Sequence, residues 1–308
     1  MDINWIKNLA RFNLPVYLYE SDTMKLAYAG YSAIKRNYYV RFILDRNNHT
    51  TFLGRRWFWQ IPDLIKSGNI DMAISEISPA ILKHFRKYSG HIAPVRVMMR
   101  INIDRPESEI CNRHVSDFPD IKRKIRKYNL TYEIINDKGS INNFYDKFYL
   151  PYTAKRHGEE AFIEDLNAIG ELSSSSFIMA VREDGVIAGE AQFLKSDENL
   201  CLMRLGLLEG NMEFRAHGVI GAIYYFAILE GQKMKCRYLD LGGTRPFLTD
   251  GLTQFKLGLG AEFTPDYSKC NEFLWLGVNA KSEVAKEFLR NNPLMHLNSE
   301  LKIIKTGI

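Results

Sequence analysis

The alternation of hydrophobic and polar positions predicts strands separated by turns in the first third of the chain. Runs rich in β-branched and aromatic residues lie at 14–20, 38–44 and 94–102, and such residues fit the pleated, half-buried surface of a strand. Residues 63–90, between the last two runs, contain two helix-like runs punctuated by a glycine and a proline. We therefore predict a small mixed α/β domain in this part of the chain.

The rest of the chain has a different order of predicted elements. Ile121 and Ile125 lie at helical spacing, and Ser140 is predicted to cap a second helix, which Pro151 interrupts. Three strand-like runs separated by turn-forming residues then predict an antiparallel meander. The runs of the meander are 177–184, 186–195 and 200–208, and the remaining predictions are helices at 162–174, 214–234, 250–260 and 282–292 and strands at 237–243, 261–268 and 272–278.

The composition fits a globular protein without a membrane span. Of 308 residues, 46% are hydrophobic and 25% are charged, which is typical of one large or two medium domains. No run approaches the roughly 18 to 20 uninterrupted apolar residues of a transmembrane helix, and the N-terminus lacks the features of a secretion signal, so we expect a cytoplasmic protein. The four cysteines lack the spacing of a metal site or a disulfide framework, so no metal is predicted.

Charge divides the chain into a basic and an acidic part. Residues 1–130 contain 22 Lys and Arg against 12 Asp and Glu, whereas the remainder contains 19 against 24. The basic part indicates an anionic partner such as a nucleic acid, a phosphorylated cofactor or a lipid surface. Ordinary surface charge is the alternative explanation.

Four segments carry a resemblance to a known family. They are IKRKIRK at 121–127, FYLPYTAKRHG at 148–158, ILEGQKMKCRYLDLGG at 228–243 and DGLTQFKLGLGAEF at 250–263. In these segments and in its order of elements, the chain resembles the Fem-type aminoacyltransferases and the related FemAB-like acyltransferases, a branch of the GNAT superfamily. The resemblance implies an α/β (α+β) fold with a GNAT-like mixed sheet flanked by helices. It also implies two GNAT-like lobes, a degenerate one at 1–118 and an acyltransferase lobe at 119–308.

The resemblance further implies transfer of an acyl or aminoacyl group to an amine on a peptide, a sugar or a small metabolite. The donor is acyl-CoA or aminoacyl-tRNA, acting as a co-substrate and not as a tightly bound cofactor. In CoA-dependent members a glycine-containing loop at a helix N-terminus holds the pyrophosphate. The equivalent loop here runs from Arg215 through Gly218 to Gly221, with the bulky Ile220 where a small residue is expected. Fem-type proteins lack a proper version of this loop, which implies a tRNA partner, and both donors stay open.

Direct attack of an amine on a carbonyl requires a proton acceptor, a group aimed at the developing oxyanion, and groups that hold phosphates. The resemblance implies that Lys256 lies near the donor's phosphates or carbonyl, and a solvated helix lysine is the alternative. Asp240 ends a predicted strand and is expected either to orient the amine or to cap the glycine turn that follows. His217 is a further candidate base, because an unperturbed histidine titrates near neutral pH.

Two charged residues fall inside the apolar meander. If the second hairpin of the meander turns about Asp197, Glu190 and Arg204 face each other across two strands. Charges rarely enter a sheet unpaired. The two residues are therefore expected either to form a structural ion pair or to line the cleft that holds the amine.

The remaining candidates are expected to bind the donor or the acceptor. Gly242 and Gly243 permit close approach of the backbone to a substrate, and Arg245 is either an anion clamp or part of a surface salt bridge. Four residues of the segment 148–158 are expected to form a wall on the acceptor side, and tyrosine packing with exposed charge is the alternative explanation. They are Tyr149, Tyr152, Arg156 and His157. The predicted binding residues are Tyr149, Tyr152, Arg156, Arg204, Arg215, Gly218, Gly242, Gly243, Thr244, Arg245 and Phe255.

A non-catalytic RNA-binding or interaction protein on a decayed GNAT fold is the alternative function. In the first lobe, Arg55 and Arg56 directly precede the aromatic run 57–59. Proteins that bind single-stranded nucleic acid combine basic residues with aromatics in this way, and each stacked base contributes about 1 to 3 kcal/mol. A core strand with a charged entry turn explains the same segment, and the basic run 121–127 is either a solvated face or a phosphate contact.

Overall fold

The computed structural model describes residues 12–44, 47–137, 139–158, 176–265, 267 and 270–305. The helix predicted at 162–174 lies outside these residues. The chain groups into two compact units. The first comprises Met1–Val97, Arg245–Asp250 and Thr264–Ile308, and the second comprises Met98–Thr244 and Gly251–Phe263.

Both units contain strands and helices. The strands are β1 (Asn13–Glu20), β2 (Lys25–Ala29), β3 (His49–Trp57), β4 (Met72–Ile77), β5 (His91–Pro94), β6 (Val97–Asn102), β7 (Thr131–Ile135), β8 (Ser176–Glu183), β9 (Val186–Ser196), β10 (Asn199–Leu207), β11 (Tyr238–Thr244), β12 (Glu262–Phe263), β13 (Phe273–Val278), β14 (Met295–Leu297) and β15 (Ile303–Lys305). The α-helices are α1 (Ala33–Ile43), α2 (Asp63–Lys66), α3 (Pro79–Phe85), α4 (Glu107–Ile110), α5 (Phe118–Lys127), α6 (Ser140–Phe144), α7 (Leu150–His157), α8 (Met212–His217), α9 (Val219–Lys233), α10 (Gly251–Gly258) and α11 (Glu283–Asn291). Short 3₁₀ turns lie at Phe58–Gln60 and Leu208–Gly210, and a π turn lies at Tyr145–Tyr149.

The first unit is built on a six-stranded sheet with the order β3-β1-β2-β4-β13-β5. Strand β13 comes from the C-terminal part of the chain and pairs antiparallel with both β4 and β5. The C-terminal segment is therefore integral to the first unit. This grouping differs from the predicted lobes at 1–118 and 119–308. The predicted boundary was based on composition along the chain, and composition does not show that β13 pairs with strands about 200 residues before it.

Helix α1 replaces a predicted strand, so the prediction at 38–44 is wrong. The side chain of Ser32 accepts a hydrogen bond from the backbone N–H of Lys35 and caps the helix. Tyr39, Val40 and Ile43 are buried on one face of it. Their spacing suits a helix, and here it outweighs the strand preference of aromatic and β-branched side chains. Strand β4 was in turn missed inside the two helix-like runs at 63–90.

The second unit is built on a seven-stranded sheet with the order β12-β6-β11-β10-β9-β8-β7. Strands β8 to β10 form the predicted three-stranded antiparallel meander, and β7 adds a fourth antiparallel strand beside β8. Strand β11, in contrast, lies parallel to β10. A parallel neighbour requires a crossover connection, which α9 supplies. The predicted mixed α/β fold, with a mixed sheet flanked by helices, is confirmed.

Helix α9 is the central buried helix of the second unit. It is apolar on most sides, and nine of its residues are buried, as expected for a helix enclosed by other elements. The prediction of one helix at 214–234 needs correction, because Gly218 adopts a left-handed φ of 97° and separates α8 from α9. No helix in the described ranges is long and apolar enough to cross a membrane.

Candidate functional site

Strands β10 and β11 separate in the middle of the second unit's sheet. Their parallel pairing joins Asn199 to Tyr238, Leu200 to Leu239 and Cys201 to Asp240, and then it stops. Strand β10 continues to Leu207 and β11 continues to Thr244. The end of this pairing, at Cys201 and Asp240, is called the divergence point below. Backbone groups past it are not paired between these two strands, which is where an extended ligand has backbone to bind.

A β-bulge in β10 lies directly after the divergence point. The register between β9 and β10 shifts between Leu202 and Arg204, so Met203 is an extra residue in β10. Bulges disrupt the ladder locally and are frequent beside active sites. The shift also corrects the predicted pairing of Glu190 with Arg204, because Arg204 lies opposite Gln192 and Glu190 lies opposite Gly206.

The glycine turn at the end of β11 is held by two charged side chains. The Oδ1 atom of Asp240 accepts a hydrogen bond of 2.8 Å from the backbone N–H of Gly242, which is the turn-capping role considered for it. Lys256, on α10, is only 3% exposed. Its Nζ atom donates to the carbonyls of Gly242 at 3.0 Å and Gly243 at 3.3 Å. Lys256 is therefore not a solvated helix lysine, and its contact with a donor stays a prediction.

A buried polar row crosses the face of the sheet next to the bulge. Arg204 donates a hydrogen bond of 2.9 Å to Oε1 of Gln192, and Nε2 of Gln192 lies 3.1 Å from Oγ of Ser176. Tyr149 hydrogen-bonds to Arg204 from the π turn, although burial outweighs this contact and raises the tyrosine's pKa. Burial likewise lowers the pKa of Arg204. The row holds the Arg204 side chain against β9 through the neutral Gln192.

Glu190 lies on the same strand as Gln192 of this row and is a buried carboxyl group. It is 1% exposed, and its Oε2 atom has no hydrogen-bond partner within the described ranges. Burial, with a smaller contribution from the charge of Glu133, raises the pKa of Glu190 to about 7. Such a carboxyl group changes its protonation state near neutral pH, which is the property a general base requires.

The π turn covers the face of the sheet to which Glu190 belongs. Residues opposite each other in antiparallel strands point to the same face, and the partner of Glu190 is Gly206. A Cβ atom on Gly206 would lie 2.2 Å from the carbonyl oxygen of Phe148 in the π turn. The backbone therefore passes directly over this position, and π turns within helices are frequent at functional sites. Pro151 lies directly after the π turn, at the start of α7, so the backbone changes from π to α geometry there and the helical segment is not broken.

The start of α9, predicted as a pyrophosphate loop, is packed against α5. A Cβ atom on Gly218 would lie 2.8 Å from the side chain of Lys124, and one on Gly221 would lie 2.9 Å from Ile121. The Nζ atom of Lys124 also donates to the carbonyl of Ala216 at 2.9 Å. Arg215 is exposed on α8. The side chains of Lys124 and Ile121 thus pack closely against the two glycines of the predicted loop.

His217 is held in place on the same side of α9. Its Nδ1 atom lies 2.6 Å from Oε1 of Glu183, and its ring stacks on Tyr128 with the ring centroids 4.1 Å apart. These contacts account for its burial without a substrate. Its role as a base stays a prediction.

The other predicted site residues are distributed over both units. In the second unit, Thr244 is fully buried beside Met99, and the exposed Phe255 packs edge-on against Tyr224. Of the residues predicted to form an acceptor wall, Tyr152 is buried and accepts a hydrogen bond of 3.3 Å from the exposed Arg156.

Arg245 belongs to the first unit. Its NH1 atom lies 2.6 Å from Oδ2 of Asp250, its Nε atom donates to the carbonyl of Tyr38, and its guanidinium lies 3.8 Å from the centre of the Tyr38 ring. The ion pair is largely buried and is therefore not the surface salt bridge that was expected as the alternative. Contact of Arg245 with an anionic ligand stays a prediction.

Three features of the site were not predicted from the sequence. They are Gln192 and Ser176, which belong to the polar row, and the bulge at Met203. Gln192 carries a signal that was available, since it lies two residues after Glu190 and therefore on the same face of the strand. No three His, Cys, Asp or Glu side chains lie together as a metal site in the portion of the chain that the structure describes.

Comparison with known proteins gives structural similarity alone. No protein-family model and no curated protein matches the chain. The chain is similar to FemX, with 11% identity, 90% of this chain and 85% of that chain covered, and a TM-score of 0.44. It is similar to L-PGS from Bacillus licheniformis at 8% identity, with 90% and 85% covered and a TM-score of 0.41. A GCN5-related N-acetyltransferase from Kribbella flavida is 12% identical, with 89% and 92% covered and a TM-score of 0.34. Similarity at this level identifies neither a donor nor an acceptor.

Proposed function

We propose that the second unit is an N-acyltransferase, which moves an acyl or aminoacyl group from an activated donor to an amine. The observation that carries the proposal is the divergence point. Strands β10 and β11 pair over three residue pairs and then separate beside the bulge at Met203. An extended donor has unpaired backbone to bind there, and the buried Glu190 and Arg204 lie on the strands next to it.

In the proposed reaction the amine nitrogen attacks the carbonyl carbon of the donor. The new C–N bond forms, the donor's C–O or C–S bond breaks, and the leaving ribose hydroxyl or thiol takes up a proton. The amine loses a proton in the same process. No protein nucleophile is needed, so the groups to be supplied are a proton acceptor and a donor for the oxyanion.

Glu190 is the proposed proton acceptor. Its carboxyl group has a pKa raised to about 7 by burial and an Oε2 atom without a partner within the described ranges. The bulge supplies the proposed oxyanion donor, because the backbone N–H of Met203 is displaced from the regular β9 ladder. Lys256 acts indirectly in this proposal, since it holds the carbonyls of Gly242 and Gly243 at the end of β11.

Of the two donors that the sequence leaves open, aminoacyl-tRNA suits the site better. The packing of Ile121 and Lys124 against the start of α9 opposes a pyrophosphate at that helix N-terminus, where acyl-CoA would need it. The basic composition of residues 1–130 is compatible with a polyanionic donor. The acceptor in this proposal is an amine on a peptide, a sugar or a small metabolite.

The test is amine-dependent consumption of the donor. The protein is incubated with charged tRNA or acyl-CoA and a panel of amines, and the acylated amine is measured by mass spectrometry between about pH 5 and pH 9. We expect the rate to rise with pH as Glu190 loses its proton, and Glu190→Gln to lower it about 100-fold or more. Glu262→Gln, which changes an exposed strand glutamate, is the matched control and should leave the rate unchanged.

The alternative, a non-catalytic RNA-binding protein, predicts a different result. Its tRNA binding would depend steeply on salt and would be the same for charged and uncharged tRNA, without consumption of either donor. Absence of any amine-dependent donor consumption would therefore overturn the proposed transferase in favour of this alternative.

A further inference from the structure

An unusually exposed edge strand lies in the first unit. Strand β3 is the terminal strand of the six-stranded sheet, it is nine residues long, and none of its residues is buried. Long exposed edge strands are normally shortened or covered, because they invite association with other molecules. The exposed strand β3 is therefore a candidate binding surface.

Aromatic and arginine side chains are interleaved on this strand and on the elements beside it. The rings of Tyr17 and Phe52 lie 5.2 Å apart, and the guanidinium of Arg36 lies 3.9 Å from the centre of the Tyr17 ring. The guanidinium of Arg55 lies 5.2 Å from the centre of the Tyr31 ring and donates a hydrogen bond to the Tyr31 hydroxyl group. These five residues are called the aromatic–arginine surface below.

The aromatic–arginine surface leaves large ring areas in contact with solvent. Phe52 is 55% exposed and Tyr31 is 49% exposed. At the end of β3 the rings of Trp57 and Trp59 stack in parallel, with centroids 5.0 Å apart and an interplanar angle of 4°, and Trp59 is 46% exposed. The surface and the two tryptophans at the end of β3 therefore offer several flat aromatic faces, some with guanidinium groups beside them.

The charge of the surroundings limits the partner to an anionic one. Residues 12–97 contain 12 Lys and Arg against 6 Asp and Glu. Among the strand residues, Arg55 and Arg56 are both exposed, and no residue of β3 is acidic. Aromatic faces with adjacent cations match the two parts of an unpaired nucleotide, a base that stacks and a phosphate that pairs with a cation.

We propose that the aromatic–arginine surface of the first unit binds single-stranded RNA. Bases stack on Phe52 and Tyr31, and the guanidinium groups of Arg36 and Arg55 contact the backbone phosphates or stack on further bases. A double-stranded nucleic acid does not present its base faces, so it lacks the stacking contribution. The binding does not depend on acyl transfer in the second unit, and it is tested without any donor or acceptor.

The experiment measures fluorescence anisotropy of labelled RNA oligonucleotides of about 12 residues, single-stranded and as a duplex of equal length, with the intact protein. We expect tighter binding to the single strand. Phe52→Ala should weaken it roughly five- to a hundredfold, since it removes one stacking platform. Arg55→Gln should reduce the slope of log K against log salt by about 0.7, the value for one phosphate contact on a single strand.

The controls separate the surface from general properties of the protein. Val186→Ala removes a side chain of the second unit that is as exposed as Phe52, at 52%, and should leave RNA binding unchanged. Circular dichroism of Phe52→Ala should equal that of the parent protein, because an exposed side chain is removed. The proposal is overturned if the duplex binds as tightly as the single strand, or if Phe52→Ala binds like the parent. It is also overturned if anionic lipid vesicles bind the protein through Phe52 while RNA does not bind.

Discussion

Burial of Glu190 raises its pKa, which suits the proposed role as a base but lowers the free energy of unfolding once the carboxyl group ionises. At low pH the carboxyl group is protonated in the folded and the unfolded chain, and its burial carries no charge penalty. As pH rises from its ordinary pKa towards about 7, the unfolded chain loses the proton first, because burial has raised the pKa in the folded state. The free energy of unfolding therefore falls across this window, and the full penalty is present above it.

Glu190→Gln should consequently stabilise the protein at alkaline pH while it removes the proposed base. Glutamine cannot ionise, so we expect a free energy of unfolding higher by on the order of 2 kcal/mol near pH 8 and nearly unchanged near pH 4. Urea unfolding at the two pH values measures the difference, with Glu262→Gln as the control. A difference that is the same at both pH values would show that Glu190 is not perturbed by burial.

Lys256 is expected to matter for stability whether or not it meets a donor. Its buried ammonium group donates to two backbone carbonyls of the glycine turn, and each hydrogen bond from a charged group contributes about 1.5 to 3 kcal/mol. Lys256→Met should lower the free energy of unfolding by at least about 2 kcal/mol, measured by urea titration. Lys155→Met, at an exposed helix position, should change it by less than about 0.5 kcal/mol. Equal effects of both variants would contradict the buried contact.

Residue types in the site were predictable from the sequence, whereas their partners were not. Glu190 and Arg204 stand out as charges within an apolar meander, and both are buried. The prediction that they lie opposite each other was wrong. The two-residue turn shifts the register by one residue and the bulge shifts it by one more, and the hydrophobic pattern indicates neither shift. The partner of Arg204 on β9 is instead the neutral Gln192.

At the scale of elements, the close approach of the π turn to β10 is the contact that most constrains the site. Gly206 admits the backbone of Phe148 only because it has no Cβ atom. Gly206→Ala would force two backbone segments apart, so we expect a loss of at least about 2 kcal/mol of unfolding free energy, as for overpacked cores.

The matched control for Gly206→Ala is Gly251→Ala. A Cβ atom on Gly251 meets nothing within 4 Å, and the residue begins α10. Its substitution should therefore change stability by less than about 0.5 kcal/mol. Thermal unfolding of both variants measures the effect. A tolerated Gly206→Ala would mean that the π turn does not lie against β10 as described.

Elements with a consistent local signal were predicted, and those decided by tertiary contacts were not. In the meander, the strand-forming runs and the turn-forming residues between them indicate the same elements, and its strands β8, β9 and β10 were predicted. The segment 38–44 has strand-forming side chains but a helix cap at Ser32 and a buried face of helical spacing, so local preference and packing disagree there. Packing decides the outcome.

At the scale of the whole molecule, the first unit depends on a strand from the far end of the chain. Strand β13 lies between β4 and β5 in the sheet, and nothing in the local sequence predicts this position. Truncation of the chain after residue 263 removes this strand and α11. We expect the first unit to lose its structure while the second keeps its core, since all strands of the seven-stranded sheet are retained.

Hydrogen–deuterium exchange of the truncated chain tests this dependence. Amides of β2 and β4 should lose protection relative to the full chain, while amides of β8, β9 and β10 provide the internal reference and should stay protected. Continued protection of β4 would contradict the central position of β13.

The central claim is that an acyl donor binds where β10 and β11 separate. A crystal structure of the protein with a stable donor analogue tests it most directly, using a thioether analogue of acyl-CoA and an amide-linked aminoacyl-adenosine. We predict that the carbonyl oxygen of one analogue lies about 3 Å from the backbone nitrogen of Met203, the distance required of an oxyanion donor. Binding of both analogues away from Met203 and the divergence point would contradict it.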